Sequence, residues 1–224
     1  MKQINKLLFL FIIFFAQLPN AQELENSDYI EFNDRKNIVH GVYLGFNGSY
    51  GEMDNKDTHF IGLKAAYVAN QKFEVGVSIN GFYSQQNSIG RSSTYQEDLV
   101  GIYTGIHLEP ILFSKSKINL SFPVLFGVGV AGYIDDSFND DNDEFDDSED
   151  NGDAFSIIEP GISILYNLSR YVQLETGIKY RISSRLDIFE GGIERINGVS
   201  VGLGIKVGVF NIGRNRYKKN VPNE

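Results

Sequence analysis

Nineteen residues, DDSFNDDNDEFDDSEDNGD from Asp135 to Asp153, carry eleven carboxylates and no basic side chain. Oxygen ligands at this density suit hard divalent cations, and the candidate ligands are Asp141, Asp143, Glu144, Asp146, Asp147, Glu149, Asp150 and Asp153. Asp147, Glu149, Asn151 and Gly152 come nearest to a calcium loop of the helix–loop–helix kind, but the twelfth position, which needs a bidentate Glu, is Ile158. Weak divalent-cation binding is therefore the expectation, with no dedicated cofactor.

Two other constellations could carry chemistry. His59 lies two residues from Asp57, and a His–carboxylate pair can activate a hydroxyl such as that of Ser92 or Ser93. Nothing in the spacing brings those serines to it. The run GVGVAG, with Gly127, Gly129 and Gly132, fits the dinucleotide fingerprint G-x-G-x-x-G. That fingerprint needs a helix N-terminus to receive the pyrophosphate, and here a run of repelling carboxylates follows. Its glycines read better as space on a crowded face. The chain has no Cys, so thiol chemistry and disulfides are excluded, and with only three His a zinc site would need His and carboxylates together.

What positions these residues is a repeated alternation. Of 29 acidic residues, eleven sit in the quoted stretch, and the other 18 nearly balance 20 basic ones. The net charge of −9 is thus local, and no basic surface for nucleic acid exists. Eight segments alternate with period two, the signature of strands. Examples are Ile61, Leu63, Ala65, Tyr67 against Gly62, Lys64, Ala66, Val68, and Val199, Val201, Leu203, Ile205 against Ser200, Gly202, Gly204, Lys206. The others begin near Gly41, Phe73, Asp98, Ile118, Ser156 and Val172. About 11 residues at about 3.3 Å each, tilted about 40°, stand roughly 28 Å tall, which matches an apolar band of about 25 Å. Longer polar connections (51–57, 86–96, 134–153, 184–196) alternate with short ones around Asn70–Gln71, 111–116 and 168–170.

This pattern predicts an all-β fold, an eight-stranded antiparallel up-and-down transmembrane β-barrel over residues 38–210. A soluble barrel of the lipocalin type would need a hydrated outer face. Here the polar face is mostly Gly, Ala, Ser and Asn, which suits a narrow lumen, while the apolar face of the eight segments reads as free of charge. Aromatics at the segment ends form two girdles: Tyr67, Phe73, Phe122 and Tyr166 at the short turns, Tyr50, Tyr83 and Tyr180 at the loops. The lumen then holds Lys64, Glu74, His107, Glu109, Glu159, Glu175, Lys179, Arg181 and Lys206. The balanced signs point to an internal ion-pair network rather than to catalysis. A turn centred near Ser169 would set Glu159 opposite Lys179.

The first residues, MKQINKLLFLFIIFFAQLPNA, give a basic start, ten apolar residues from Leu7 to Ala16 and a polar stretch. That is the layout of a signal peptide over 1–21, too short to span a bilayer. Residues 22–37 and the basic 211–224 are expected in the periplasm.

The stretches GIHLEPILF (105–113), IIEPGISILYNLSRYVQLETGIKYR (157–181) and VGLGIKVGVF (201–210) resemble the small eight-stranded outer-membrane barrels of the OmpA/OmpX type. They resemble more narrowly the outer-membrane β-barrel proteins of Bacteroidetes. The resemblance implies the outer membrane of a Gram-negative cell, contact with lipid and lipopolysaccharide, and assembly by the barrel-assembly machinery, with Phe210 resembling its terminal signal. Expected, then, is a non-enzymatic, monomeric outer-membrane barrel with a plugged lumen and an acidic extracellular loop for cation, lipopolysaccharide or partner contact. The alternatives are a hydrolase of lipid or peptide near His59 and a small-solute pore.

Overall fold

The computed structural model describes residues 39–89, 96–114, 116–135, 152–188 and 192–212. The segments read as signal peptide and N-terminal periplasmic stretch, most of the C-terminal tail, Ser92, Ser93 and the acidic run 136–151 lie outside these residues.

Nine strands follow in order: β1 (His40–Met53), β2 (Lys56–Ala69), β3 (Phe73–Ile89), β4 (Gln96–Leu112), β5 (Ile118–Ser121), β6 (Val124–Asp135), β7 (Gly152–Asn167), β8 (Val172–Ser183) and β9 (Gly198–Ile212). All pairings are antiparallel, and β9 returns to pair with β1, so the sheet closes on itself. β5 and β6 are one stave. Ser121 faces Ile111 and Ser163, Val124 faces Leu108 and Pro160, and the register does not shift between them. Only Phe122–Pro123 interrupts the ladder, because proline has no N–H to donate. Eight staves result, forming a transmembrane β-barrel.

Side chains sort as the alternation requires. Leu44, Leu203, Val128 and Leu63 are 61–71% exposed on the outer face, while the intervening positions are buried or half-buried. An apolar surface this continuous is incompatible with water and matches the hydrocarbon of a bilayer. Inside, glycine provides room for rings. A Cβ on Gly129 would come within 2.7 Å of the Phe155 ring, and one on Gly101 within 2.4 Å of the Phe82 ring.

Three expectations need correction. Residues 51–57 are not a longer loop: β1 and β2 run on to a two-residue turn, Asp54–Asn55, with φ of 52° and 61°. Two consecutive left-handed residues make the turn type that matches strand twist, and Asp and Asn tolerate it. Residues 86–96 likewise shrink, since β3 reaches Ile89 and β4 starts at Gln96. The strands therefore extend past the apolar band, and their ends bring Glu52, Asp57 and Asp98 onto the outward parity, a face that the sequence pattern left free of charge. Finally, the segment 184–196 is not simply polar. Leu186, Ile193 and Ile196 are buried, and they pack with Met53, Phe60, Phe82, Leu99, Tyr103, Leu125, Tyr133, Phe155 and Ile157. Phe210 also turns inward and stacks on Tyr43, 5.6 Å between ring centroids.

Candidate functional site: the lumen charge clusters

The ladder registers dictate which long side chains meet. Glu74 on β3 lies directly opposite Glu109 on β4, and Gln173 on β8 opposite Lys206 on β9. Gly45 on β1 faces Lys64 on one side and Lys206 on the other, leaving both ammonium groups free to cross the lumen. They meet the carboxylates near the short-turn end. The Lys206 Nζ donates to Glu74 Oε2 at 3.0 Å and Oε1 at 3.3 Å, to both Glu109 oxygens at 3.2 Å, and lies 3.4 Å from Glu175 Oε2. Lys64 Nζ donates to Glu109 and Glu175 at 3.2 Å. His107 Nε2 lies 2.8 Å from Glu109 Oε2, and the Tyr43 hydroxyl donates to Glu74. The Tyr43 ring underlies both ammoniums, with Lys206 Nζ 5.1 Å and Lys64 Nζ 5.7 Å from its centroid.

Closer to the loop end stands a second group. Lys179 Nζ is 3.4 Å from Glu159, and the Tyr103 hydroxyl donates to Glu159 at 3.1 Å. The register here differs from the expected one. β7 and β8 pair about Arg170 rather than Ser169, so Lys179 faces Gly161, and its ion pair with Glu159 runs diagonally. Arg181 is fully buried, stacked 3.9 Å over the Phe60 ring, with one 3.4 Å bond to the Glu52 carbonyl. Its Nε and Nη1 have no partner among the described residues. Above it sits the apolar cluster of Leu186, Ile193 and Ile196, held by the Ile193 N–H donating to the Tyr133 hydroxyl at 2.9 Å.

What these groups can do chemically follows from their partners. Glu74, His107 and Glu109 bring three ligand atoms within 4.8 Å of one another, close enough for a metal ion. The Lys206 ammonium already lies against both of those carboxylates, so a metal there would sit against a fixed positive charge. The donor set therefore fits a lysine better than a metal. A catalytic acid–base pair needs one carboxyl free to move a proton to a substrate, whereas these carboxylates are spanned by ammonium groups.

The remaining candidates are dispersed. Of the acidic-run ligands only Asp153 is described, and its carboxylate accepts the N–H groups of Ala154 and Asp187, both at 2.7 Å. It thereby ties β7 to the segment after β8. His59 faces outward beside Tyr50, 5.4 Å between rings, and the Tyr50 hydroxyl donates to Asp57. The register partners of His59 are Tyr50 and Tyr83, and the aliphatic hydroxyls of Thr58 and Ser84 beside it are buried and bonded to each other at 2.8 Å. Sequence reasoning passed over Tyr43, Gln173 and the apolar cluster. Tyr43 and Gln173 stood on the lumen parity, so their position was readable, but their partners were not.

No protein-family model and no curated protein matches the sequence. Among solved structures, Neisserial surface protein A is similar with a TM-score of 0.50 at 11% identity, over 75% of this chain and 96% of that one. The N-terminal β-barrel domain of Pseudomonas aeruginosa OprF gives 0.47 at 10% identity, over 75% and 96%. Ail of Yersinia pestis, in complex with the heparin analogue sucrose octasulfate, gives 0.43 at 17% identity, over 76% and 98%. The likeness is one of fold, that of the small outer-membrane β-barrels.

Proposed function

We propose that the protein is a non-enzymatic outer-membrane barrel, exported by a signal peptide, whose closed wall carries extracellular loops to their contacts. The acidic stretch 134–153 is the main contact element, meeting divalent cations, lipopolysaccharide or an external partner. The observation that carries this reading is the packed lumen: ammonium groups spanning the carboxylates near one end, apolar side chains filling the other. Eight strands leave just enough interior for side chains, and a filled interior favours a scaffold over a channel. Purified barrel in liposomes should pass no small sugar in a swelling assay, and cell fractionation should recover the protein with the outer membrane. Swelling at the rate of a porin would replace the scaffold with the pore.

One observation favours a second reading, a hydrolase acting on lipid or peptide. His59, Tyr50 and Asp57 gather on the outer face where the barrel meets the interface. Loss of an esterase or peptidase activity in a His59→Ala variant would support it, and equal activity of the two proteins would remove it.

A further inference from the structure

We propose that the short-turn rim of the barrel selects anionic phospholipid, with lipid phosphates meeting Lys72, Lys117 and Arg170 while neighbouring rings enter the hydrocarbon boundary. The inference rests on the outer-membrane reading, which puts these turns on the periplasmic side, and it names the lipid class and the residues that meet it.

Charge differs between the two ends. Lys72 sits in the β2–β3 connection, Lys117 at the entry to β5 and Arg170 in the β7–β8 connection, and all three are exposed. These connections follow one another around the rim, since β3 pairs with β4 and β5 with β7. They are also bonded to their neighbours. The Ile111 N–H donates to the Lys72 carbonyl at 2.7 Å, and the Asn167 N–H to the Lys117 carbonyl at 2.9 Å. Among the described residues this rim exposes no carboxylate, and no carboxylate pairs with any of the three bases. Glu74, Glu109 and Glu175 lie inside the lumen, spanned by Lys64 and Lys206. The opposite rim is mixed, with Glu52, Asp54, Asp57 and Glu194 exposed beside Lys56 and Arg185. A rim of one sign is a property of the short turns alone.

Each base has a ring beside it. Phe73 follows Lys72 and is exposed on the lipid-facing parity, and Tyr171 follows Arg170 and is exposed. Lys117 Nζ lies 5.1 Å from the centroid of the Tyr166 ring, on the outer face of β7. Phe113 is the sharpest case. It is 69% exposed and has φ of 57°, a region that a bulky side chain rarely enters. The turn holds it there, because its carbonyl accepts the Ser116 N–H at 2.8 Å and Asn119 Nδ2 at 2.5 Å. Strain of this kind persists only where the surroundings fix it, and here it displays a phenyl ring outside the barrel. Rings and bases at one level suit the membrane boundary: rings on the apolar side, ammonium and guanidinium groups among the phosphates.

Two sources of negative charge lie within reach of such a rim. One is lipid. The other is the stretch 22–37, which carries Glu23, Glu25, Asp28, Glu31 and Asp34 and precedes β1 at this end. The rings favour lipid, since Phe73 and Tyr166 stand on the parity that continues into the apolar band. In addition, Arg35 and Lys36 come between those carboxylates and β1.

The test refolds the protein into phosphatidylcholine vesicles and compares the motionally restricted fraction of spin-labelled phosphatidylglycerol with that of spin-labelled phosphatidylcholine. Phosphatidylglycerol should associate at least about threefold more strongly at low salt, and the preference should shrink at high salt as exposed charges are screened. Combining Lys72→Gln, Lys117→Gln and Arg170→Gln should bring the two lipids near parity. Lys56→Gln with Arg185→Gln, at the other rim, should leave the preference unchanged. Lys117→Gln alone should remove part of it, which keeps the result readable if the triple variant folds poorly. No preference in the native protein, a preference that survives the triple exchange, or one lost equally in the loop-end pair would overturn the inference. So would a preference that emerges only with Glu23→Gln, Glu25→Gln, Asp28→Asn, Glu31→Gln and Asp34→Asn, which would give the rim to that segment. Failure to enter neutral phosphatidylcholine vesicles at all, read by heat-modifiable gel mobility, would overturn the membrane reading and this inference with it.

Discussion

Glu74 and Glu109 face each other across β3 and β4, both buried, and one ammonium, from Lys206, reaches all four of their oxygens within 3.3 Å. Like charges set directly opposite would destabilise the pair, so this part of the wall depends on a side chain from the other side of the β1–β9 seam. Removing that ammonium by Lys206→Met should cost about 3–5 kcal/mol, the range for breaking a buried ion pair. Adding Glu74→Gln should recover part of the loss. Urea unfolding in micelles, followed by heat-modifiable gel mobility, measures both.

The diagonal pair offers a second measurement. Glu159 and Lys179 lie 3.4 Å apart, with Lys179 about a quarter exposed, so screening limits what the contact contributes. A double-mutant cycle with Glu159→Gln and Lys179→Met should give a coupling of about 0.5–2 kcal/mol. Zero coupling would assign Glu159 to Tyr103 rather than to Lys179.

The apolar cluster at the loop end should be both a stabiliser and a seal. Ile196 has no exposed surface, and Ile196→Ala should cost about 2–4 kcal/mol as a core truncation. Replacing Leu186, Ile193 and Ile196 together by alanine should raise single-channel conductance in planar bilayers above that of the native barrel. Unchanged conductance would locate the barrier lower, at the ion-pair cluster.

On the lipid face, Leu203 is 71% exposed. Leu203→Arg should cost about 2–4 kcal/mol and impair insertion, whereas Leu203→Ile should be nearly silent. Folding yield into vesicles of defined thickness distinguishes them.

For the acidic stretch, deleting residues 137–151 should abolish most calcium binding, with a native dissociation constant of about 10⁻⁴–10⁻³ M, and leave the barrel folded. Calorimetry on the two proteins compares them directly. No binding before the deletion would leave the stretch as solvated chain.

The faces of all eight staves were legible because period two admits only two parities, and one parity was free of charge between the segment ends. Register was less legible. The β7–β8 connection centres on Arg170, with the Ser169 hydroxyl accepting the N–H groups of Tyr171 and Val172, and so moves Lys179 two residues from the expected partner. The meeting of Lys64, Glu109, Glu175 and Lys206 was beyond pattern reading, since it depends on long side chains crossing a closed interior. Leu186, Ile193 and Ile196 break the period-two alternation, and their offsets of seven and three residues suit a helix face that the described residues of 184–196 do not form, so the spacing did not announce that the segment folds inward.

The lumen contains four cations and four anions, yet they do not cancel in place. Three carboxylates and two ammoniums gather near the short turns, while Lys179 and Arg181 outnumber Glu159 above them. The interior is thus a standing electric dipole laid along the barrel axis. Hydrocarbon around the wall does little to screen it, so its field emerges mainly at the two openings. An interior that is neutral in sum is therefore polar along its length, negative towards the short turns and positive towards the loops, where it lies beneath the eleven carboxylates of 135–153.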